Sequence, residues 1–489
     1  MMIRALSCTA IVLLFFNCSR RNEVVDEDKV LVYVGSKVIT AQDFLRRAEY
    51  SIRPDYCRQS NYLHKKIALN SLIAEKLTSL EMSEDDKLFE SSSFNKFLKG
   101  RKEQAMRQVF YNDSFYDSIS LSESEVNEHF RFSGRTVDID YLSLPSIKMV
   151  QSFEELFNNG LTLDSIFTYL WHEKVPSRKV NWFDREPSII HEKLFSENLE
   201  KGKIIGPFKM DDGSYLVIEV KGWVDQPAIT TQERDLRWRD TRERLVEKIA
   251  SQEYKSYVKK LMSGKEMILE EDTFNAYAVV AGDYYLKDEH QKKIALNQAI
   301  WDNVEQSPFD FNSQHPELNP SKNIFNYDGK DYSINDLNEM IRSHPLVFRK
   351  RKMSKGEFRF QLKLAIADLL RDKMVTEVCY DKGLEYDWRV KLNVDLWGDA
   401  YASRRFREIH GFGGNEKNEE LLNHFNPIID SLQEKYSKKI KIDMDLFESI
   451  EITSTDMFVT QRGLPYPIVV PSFPILTSDN RLDYGSKLD

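Results

Sequence analysis

Residues that could carry out chemistry are few in this chain, and their spacing matches no common site. The nine histidines are scattered, without an HExxH motif or close pairs, so no metal centre is predicted. His129 and His424 occupy equivalent positions in two similar helical stretches, which favours a repeated structural role. No GxxxxGK, GxSxG or GxGxxG motif occurs. The sequence therefore predicts no nucleotide, no cofactor and no nucleophilic serine.

One cysteine follows a short apolar run near the start of the chain. Arg4 precedes an apolar stretch at residues 10–16, and Cys18 lies just beyond it. A bilayer span needs roughly 20 residues, so the stretch predicts a secretory signal over residues 1–17 rather than a transmembrane helix. Cys18 resembles the lipidated cysteine of bacterial lipoproteins, although residues 15–17 are not the small residues usual there. The resemblance implies a tether over residues 18–29 and a periplasmic protein anchored to the outer membrane through Cys18. The alternative is cleavage nearby, with Cys18 incidental.

Charge and the remaining cysteines narrow the class of protein further. The formal net charge is −9, which makes wrapping of nucleic acid improbable on electrostatic grounds, so no nucleic-acid partner is expected. Beyond Cys8 and Cys18 only Cys57 and Cys379 remain. A single disulfide between them is one option, and two buried, unpaired thiols in separate helices are the favoured one.

An internal repeat organises the chain. Residues 34–44 align without a gap with residues 327–337, and the same offset aligns residues 68–77 with residues 361–370. In each copy two short extended runs flank a turn, and a hydroxyl residue then opens a helix in the pattern Thr40-x-x-Asp43 or Ser333-x-x-Asp336. A long helix with one apolar stripe follows in both copies. Duplication of a whole unit explains this pattern.

The repeated unit resembles a known family. VGSKVITAQDF followed by KIALNSLIAEKL is similar to the N-terminal helical domain of SurA-like periplasmic chaperones, which carry parvulin-type peptidyl-prolyl isomerase modules. Residues 137–144 resemble the first parvulin strand, residues 151–159 a short helix after it, and residues 211–220 the closing strand. The resemblance implies an α+β, mainly helical fold, with two SurA-like helical chaperone domains and one inserted parvulin-like α/β domain.

The resemblance also implies the domain boundaries. They are a signal peptide over 1–17, a tether over 18–29, the N-terminal helical unit over 30–134, a degenerate parvulin-like domain over 135–224, a return helix over 225–275, a linker with a helix over 276–323, the second helical unit over 324–448 and a proline-rich extended tail over 449–489.

The isomerase positions implied by the resemblance are altered in this chain. The two histidine positions fall on Tyr141 and Tyr215, which retain a hydrogen-bonding hydroxyl but not the proton balance of imidazole. The substrate pocket is expected at Trp182, Phe183, Ile190 and Phe195, and Glu186 there would be costly to desolvate. A parvulin-shaped binding or spacer domain is therefore favoured over an active isomerase.

The C-terminal tail combines several prolines with apolar residues between residues 457 and 476, which predicts an extended segment. Two positions are open for it: packing against the second helical unit, or docking onto a partner. Taken together, the sequence predicts an ATP-independent envelope folding factor that binds unfolded or outer-membrane client proteins. The alternatives are an active peptidyl-prolyl isomerase and a structural lipoprotein subunit of an envelope assembly complex.

Overall fold

The computed structural model describes residues 30–82, 86–184, 186–286, 318–344, 347–350, 353–412, 416–453 and 465–487. Over these ranges the chain is mainly helical with three small sheets, in agreement with the predicted α+β class. The signal, the tether and Cys18 lie outside the described residues. No helix of the described ranges combines the length and the apolar character that a bilayer span requires.

Helices make up most of the regular structure, and short strands connect them. The helices are α1 (Ala41–Glu49), α2 (Tyr62–Glu81), α3 (Lys87–Glu90), α4 (Ser92–Tyr111), α5 (Glu123–Phe130), α6 (Ile147–Asn158), α7 (Leu163–Trp171), α8 (Ser188–Leu194), α9 (Thr231–Leu261), α10 (Glu271–Tyr285), α11 (Ile334–Ser343), α12 (Lys355–Asp381), α13 (Trp388–Ile409), α14 (Asn418–Tyr436) and α15 (Met444–Ser449). The strands are β1 (Val30–Val34), β2 (Lys37–Thr40), β3 (Arg135–Leu144), β4 (Ser177–Asn181), β5 (Ile204–Lys209), β6 (Tyr215–Asp225), β7 (Met267–Leu269), β8 (Asn323–Tyr327), β9 (Lys330–Ser333), β10 (Ile440–Ile442) and β11 (Ser486–Lys487).

The predicted helix starts are present in both repeats. Thr40 accepts a hydrogen bond from the backbone N–H of Asp43, and the Asp43 carboxylate accepts one in return from the Thr40 backbone, which forms a capping box. Ser333 and Asp336 form the same arrangement at the start of α11. These caps satisfy N–H groups that have no partner within the helix, and they determine the residue at which each helix begins after its hairpin.

The inserted sheet has the strand order β4-β3-β6-β5, with antiparallel neighbours throughout. The predicted strand at residues 137–144 and the predicted helix at 151–159 are confirmed, as β3 and α6. Both faces of this sheet are covered. Helix α8 packs on one face, and helices α6 and α7 pack on the other. Successive side chains of a strand point to opposite faces, so each strand supplies residues to two separate cores.

The two repeats exchange their closing strands. Strand β10, near the end of the second repeat, pairs with β1 of the first, with Val32 opposite Ile442. Strand β7, which follows the long return helix of the first repeat, pairs with β8 of the second, with Leu269 opposite Phe325. Each hairpin is therefore completed by a strand from the other half of the chain.

The hydrophobic cores reflect this exchange. One core combines the first hairpin, α1 and α2 with α14, β10 and α15. A second core combines α10 with the second hairpin, α11 and α12. A third lies where α4, α9 and α12 meet. Helices α4 and α11 approach so closely that a Cβ added at Gly100 would lie 2.1 Å from the backbone oxygen of Ser343.

The cysteines and the tail both lie within these cores. Cys57 and Cys379 are free thiols buried in different cores, and burial raises the pKa of each to about 12. Residues 465–487 form an ordered, mostly irregular segment that ends in β11, parallel to β10. The sequence predicts packing on the second helical unit or docking on a partner; the described apolar side chains of the tail enter the core shared by α2 of the first repeat and α14 of the second, so the tail packs on both units.

Candidate functional site

A cleft of about 320 Å³ separates the inserted sheet domain from the long helix α9. Helix α5 contributes one side chain, the loop after β4 and helix α8 form one wall, and α9 forms the other. The residues that line the cleft are His129, Trp182, Glu186, Pro187, Ser188, His191, Glu192, Phe195, Asp211, Arg244, Leu245, Glu247, Lys248, Ser251 and Lys255.

Aromatic rings form the floor of this cleft. The ring of Trp182 meets that of His191 edge-on at 4.5 Å between centroids, and it meets Phe195 at 5.4 Å. His191 and Phe195 are 4.6 Å apart because they are four residues apart on one helical turn. His129 approaches Trp182 from α5 at 5.8 Å. The floor is therefore a packed aromatic surface suited to an apolar side chain.

The protonation of His191 follows from its contacts. Its Nε2 lies 2.8 Å from the carbonyl oxygen of Trp182. Because a carbonyl only accepts, Nε2 carries the hydrogen and Nδ1 keeps the lone pair. Burial lowers the pKa of His191 to about 4, and it lowers the pKa of His129 in the same direction. His191 is thus a neutral imidazole at physiological pH.

The floor also contains an unmet hydrogen-bond donor. Trp182 is 2% exposed, and its indole Nε1 is buried without an acceptor in the described structure. Buried N–H groups nearly always have a partner, and leaving one unpaired costs about 1–3 kcal/mol.

Charges of both signs surround the aromatic floor. Lys248 on α9 forms an ion pair with Glu192 on α8, at 2.9 Å, which bridges the two walls. Arg244 donates a hydrogen bond of 3.3 Å to the carbonyl of Asp184. Glu186 is held by Arg178 in a bidentate pair, so the desolvation cost that the sequence predicted for this carboxylate is offset. The rim is polar and does not favour one sign of charge.

The structure does not bring Tyr141 and Tyr215 together. Tyr141 faces the core on the α8 side of the sheet, where the guanidinium of Arg178 lies 5.5 Å from its ring centroid. Tyr215 faces the core on the α6–α7 side. On β6, Leu216, the residue after Tyr215, lies on the face of Tyr141, together with Ile218, which is directly opposite Tyr141. The two hydroxyls therefore cannot flank one peptide bond.

The four predicted pocket residues divide into two groups. Trp182 and Phe195 line the cleft. Ile190 is fully buried in the core beneath it, and Phe183 is 40% exposed outside it. His191, His129 and the cationic side of α9 were not predicted from the sequence. The spacing of His191 and Phe195, four residues apart, was the available signal for the first of these.

The cleft offers a ligand aromatic surface and charged side chains. Within the described ranges no cluster of three or more histidine, cysteine, aspartate or glutamate side chains is placed to hold a metal ion. The neutral His191 donates its N–H to a backbone carbonyl, a contact that orients the ring and activates no nucleophile. The cleft therefore combines an apolar aromatic floor with a rim that carries charges of both signs.

Comparison with known proteins adds little to this description. The chain matches no protein-family model and no curated protein. Among solved structures it is similar to the crystal structure of a peptidylprolyl isomerase, PrsA, from Bacillus cereus, with 11% sequence identity, coverage of 46% of this chain and 91% of that one, and a TM-score of 0.20. A TM-score of this size does not establish a shared fold.

Proposed function

We propose that this chain is an ATP-independent folding factor that binds non-native polypeptides, including outer-membrane proteins, in the cell envelope. The observation that carries the proposal is the aromatic cleft between α8 and α9, with Trp182, His191 and Phe195 in its floor and charges of both signs at its rim. An extended polypeptide suits this cleft, since it carries apolar side chains for the floor and polar backbone groups for the rim. The sequence resemblance to SurA-like chaperones favours the same class of ligand.

Binding without isomerisation is the form of this function that we favour. An isomerase with tyrosines at both histidine positions would need them on one side of the substrate, and Tyr141 and Tyr215 lie on opposite faces of the sheet. The favoured role of the inserted domain is therefore to hold a segment of polypeptide against α9.

The test is suppression of aggregation of a denatured outer-membrane protein, without nucleotide. Ser251 lines the cleft from α9, and Ser251→Trp would fill it. Ser256 is exposed on the same helix and is no part of the cleft, so Ser256→Trp is the matched control. We expect Ser251→Trp to require about fivefold more protein for half-maximal suppression, equivalent to about 1 kcal/mol, and Ser256→Trp to behave like the parent.

Two outcomes would contradict the proposal. Equal activity of the two variants would remove the cleft as the binding site. Failure of the parent protein to suppress aggregation at stoichiometric excess would favour the structural-subunit alternative.

The proposed location rests on Cys18, which we propose is lipidated. Cys18→Ser should then move the protein from the membrane fraction to the soluble envelope fraction without changing its thermal unfolding. Equal membrane association of the two forms in cell fractionation would show that Cys18 is not the anchor.

A further inference from the structure

The C-terminal segment, residues 465–487, lies along the body of the protein as a bound peptide would. It begins beside α9 and α12, passes α4, crosses α1 and α2, and ends at the edge of the sheet that contains β1. Apart from the short β11 it has no helix or strand of its own. Its described contacts are thus with the helices beneath it and, at its end, with strand β10.

Side chains of three helices recognise the backbone of this segment. Arg47 on α1 donates to the carbonyl of Ser472 at 2.8 Å, and Asn70 on α2 donates to the carbonyl of Asp479 at 2.8 Å. Gln108 on α4 donates to the carbonyl of Pro467. Every residue has a backbone carbonyl group, so these hydrogen bonds recognise an extended backbone and do not depend on the side chains of the segment.

Two of these donors are buried to a degree that requires an acceptor. Arg47 is 0% exposed, and its guanidinium forms two hydrogen bonds of 2.8 Å with Glu75, which is itself buried. The Asn70 amide is also 0% exposed, and its oxygen accepts from Gln433 at 2.9 Å. Burying an ion pair and an amide in a protein core carries a large desolvation free energy. In this chain both lie beneath the segment, which supplies their acceptors through the carbonyl groups of Ser472 and Asp479.

The segment buries an apolar side chain at every third residue beneath it. Val470, Phe473 and Leu476 are buried, whereas the Ser472 side chain is exposed. Four prolines between residues 465 and 474 hold the segment extended and remove backbone N–H groups that helix side chains would otherwise have to satisfy. Tyr466 fixes one end, since its hydroxyl contacts that of Tyr254 on α9 and lies 3.3 Å from Asp372.

We propose that the groove beneath residues 465–479 is a second polypeptide-binding site, specific for extended apolar stretches that contain proline, and that the chain's own C-terminal segment occupies it as a competitor. That the ligand is a non-native polypeptide rests on the proposed function. That the segment and a ligand compete for the groove does not rest on it. The occupant expected in place of the segment is a stretch of a non-native polypeptide, because the groove binds carbonyl groups and apolar side chains without charge selection.

The test uses the full chain with a protease site introduced between residues 454 and 464, so that cutting leaves the segment held only by its contacts. A fluorescent synthetic peptide of residues 465–489 should then exchange with it to a stoichiometry of one. Phe473→Ala in the peptide should weaken its binding at least tenfold, because a buried ring is lost, whereas Ser472→Ala should change it by less than about twofold. A denatured outer-membrane protein should displace the bound peptide.

A second measurement needs no cut. In the intact chain, Phe473→Ala should raise the affinity for the denatured polypeptide about threefold or more by loosening the competitor, and Ser472→Ala should leave it unchanged. If the cut protein unfolds, the comparison of these two variants in the intact chain tests the proposal. Equal affinities of the two variants for the denatured polypeptide would overturn it.

Failure of this proposal is distinguishable from failure of the proposed function. If the denatured polypeptide binds but does not displace the labelled peptide, the groove is not a ligand site and the cleft proposal stands. If the peptide exchanges but no polypeptide binds any form of the protein, the proposed function fails, and the ligand class of the groove fails with it.

Discussion

At the scale of single residues, His191 decides the character of the cleft. Its imidazole is enclosed by the rings of Trp182 and Phe195 and donates to a backbone carbonyl, so it serves as an aromatic wall with one fixed donor. Protonation would place a cation in this apolar enclosure, next to Lys248 and Arg244 on α9. The cleft is therefore built for neutral His191.

This protonation state predicts a dependence of stability on pH. The pKa of His191 is lowered by burial from 6.5 to about 4, so the unfolded chain binds more protons between these values. The free energy of unfolding should be highest above pH 6.5 and should fall by about 2–3 kcal/mol by pH 4.5 through this residue alone. The measurement is urea unfolding of the parent and of His191→Gln at pH 7 and pH 4.5. A difference between the two proteins that is the same at both pH values would contradict the assignment.

Some residues of the site could be predicted from the sequence, and others could not. Trp182 and Phe195 could be predicted because they stand in a recognisable stretch before and after a short helix. Tyr215 could not be placed, because a shift of one residue in a strand moves a side chain to the other face of the sheet. The neighbouring Leu216 faces Tyr141's side of the sheet. The local sequence pattern does not determine which of two neighbouring strand residues faces a given side of the sheet.

At the scale of elements, capping residues determine where the helices begin. How closely two helices pack depends on the residue at the point where they cross. One such crossing is that of α4 and α11, where Gly100 leaves room for the backbone of Ser343. Capping boxes at Thr40 and Ser333 were predictable, since the residues that make them are three apart in sequence. The crossing was not, because Gly100 and Ser343 are distant in the chain.

Two glycine-to-alanine changes test this crossing. Gly100→Ala places a methyl group against backbone that cannot move aside, and we expect it to lower the free energy of unfolding by about 1–3 kcal/mol. Gly398 lies within helix α13 with nothing within 4 Å of an added Cβ. Gly398→Ala should therefore raise stability by about 0.5–1 kcal/mol through helix propensity alone. Thermal unfolding of both variants gives the comparison, and equal effects would refute the close approach.

At the scale of the whole molecule, the exchange of β7 and β10 makes the two repeats one folding unit. The sequence repeat was detectable, and it suggested two units lying one after the other. Strands β7 and β10 are each only three residues long, so local sequence does not say which hairpin each strand joins. Only the long-range pairing of Val32 with Ile442 and of Leu269 with Phe325 reveals the exchange.

This exchange predicts how a divided chain behaves. If the chain is split between residues 286 and 318, each half lacks the strand that completes its own hairpin. We expect either half alone to show non-cooperative unfolding by circular dichroism, and an equimolar mixture to recover a cooperative transition and to sediment as a one-to-one complex. Cooperative unfolding of either half in isolation would contradict this expectation.

The pairing of β1 with β10 also imposes an order on biosynthesis. Val34 lies opposite Ile440, so about 400 residues must be made after the first hairpin before its partner exists. At roughly 5–20 residues per second, ribosomes would take on the order of 20–80 s to supply them. Throughout that interval the apolar faces of α1 and α2 stay without their final neighbours. A protein proposed to bind non-native polypeptides is thus itself a non-native polypeptide for most of its synthesis.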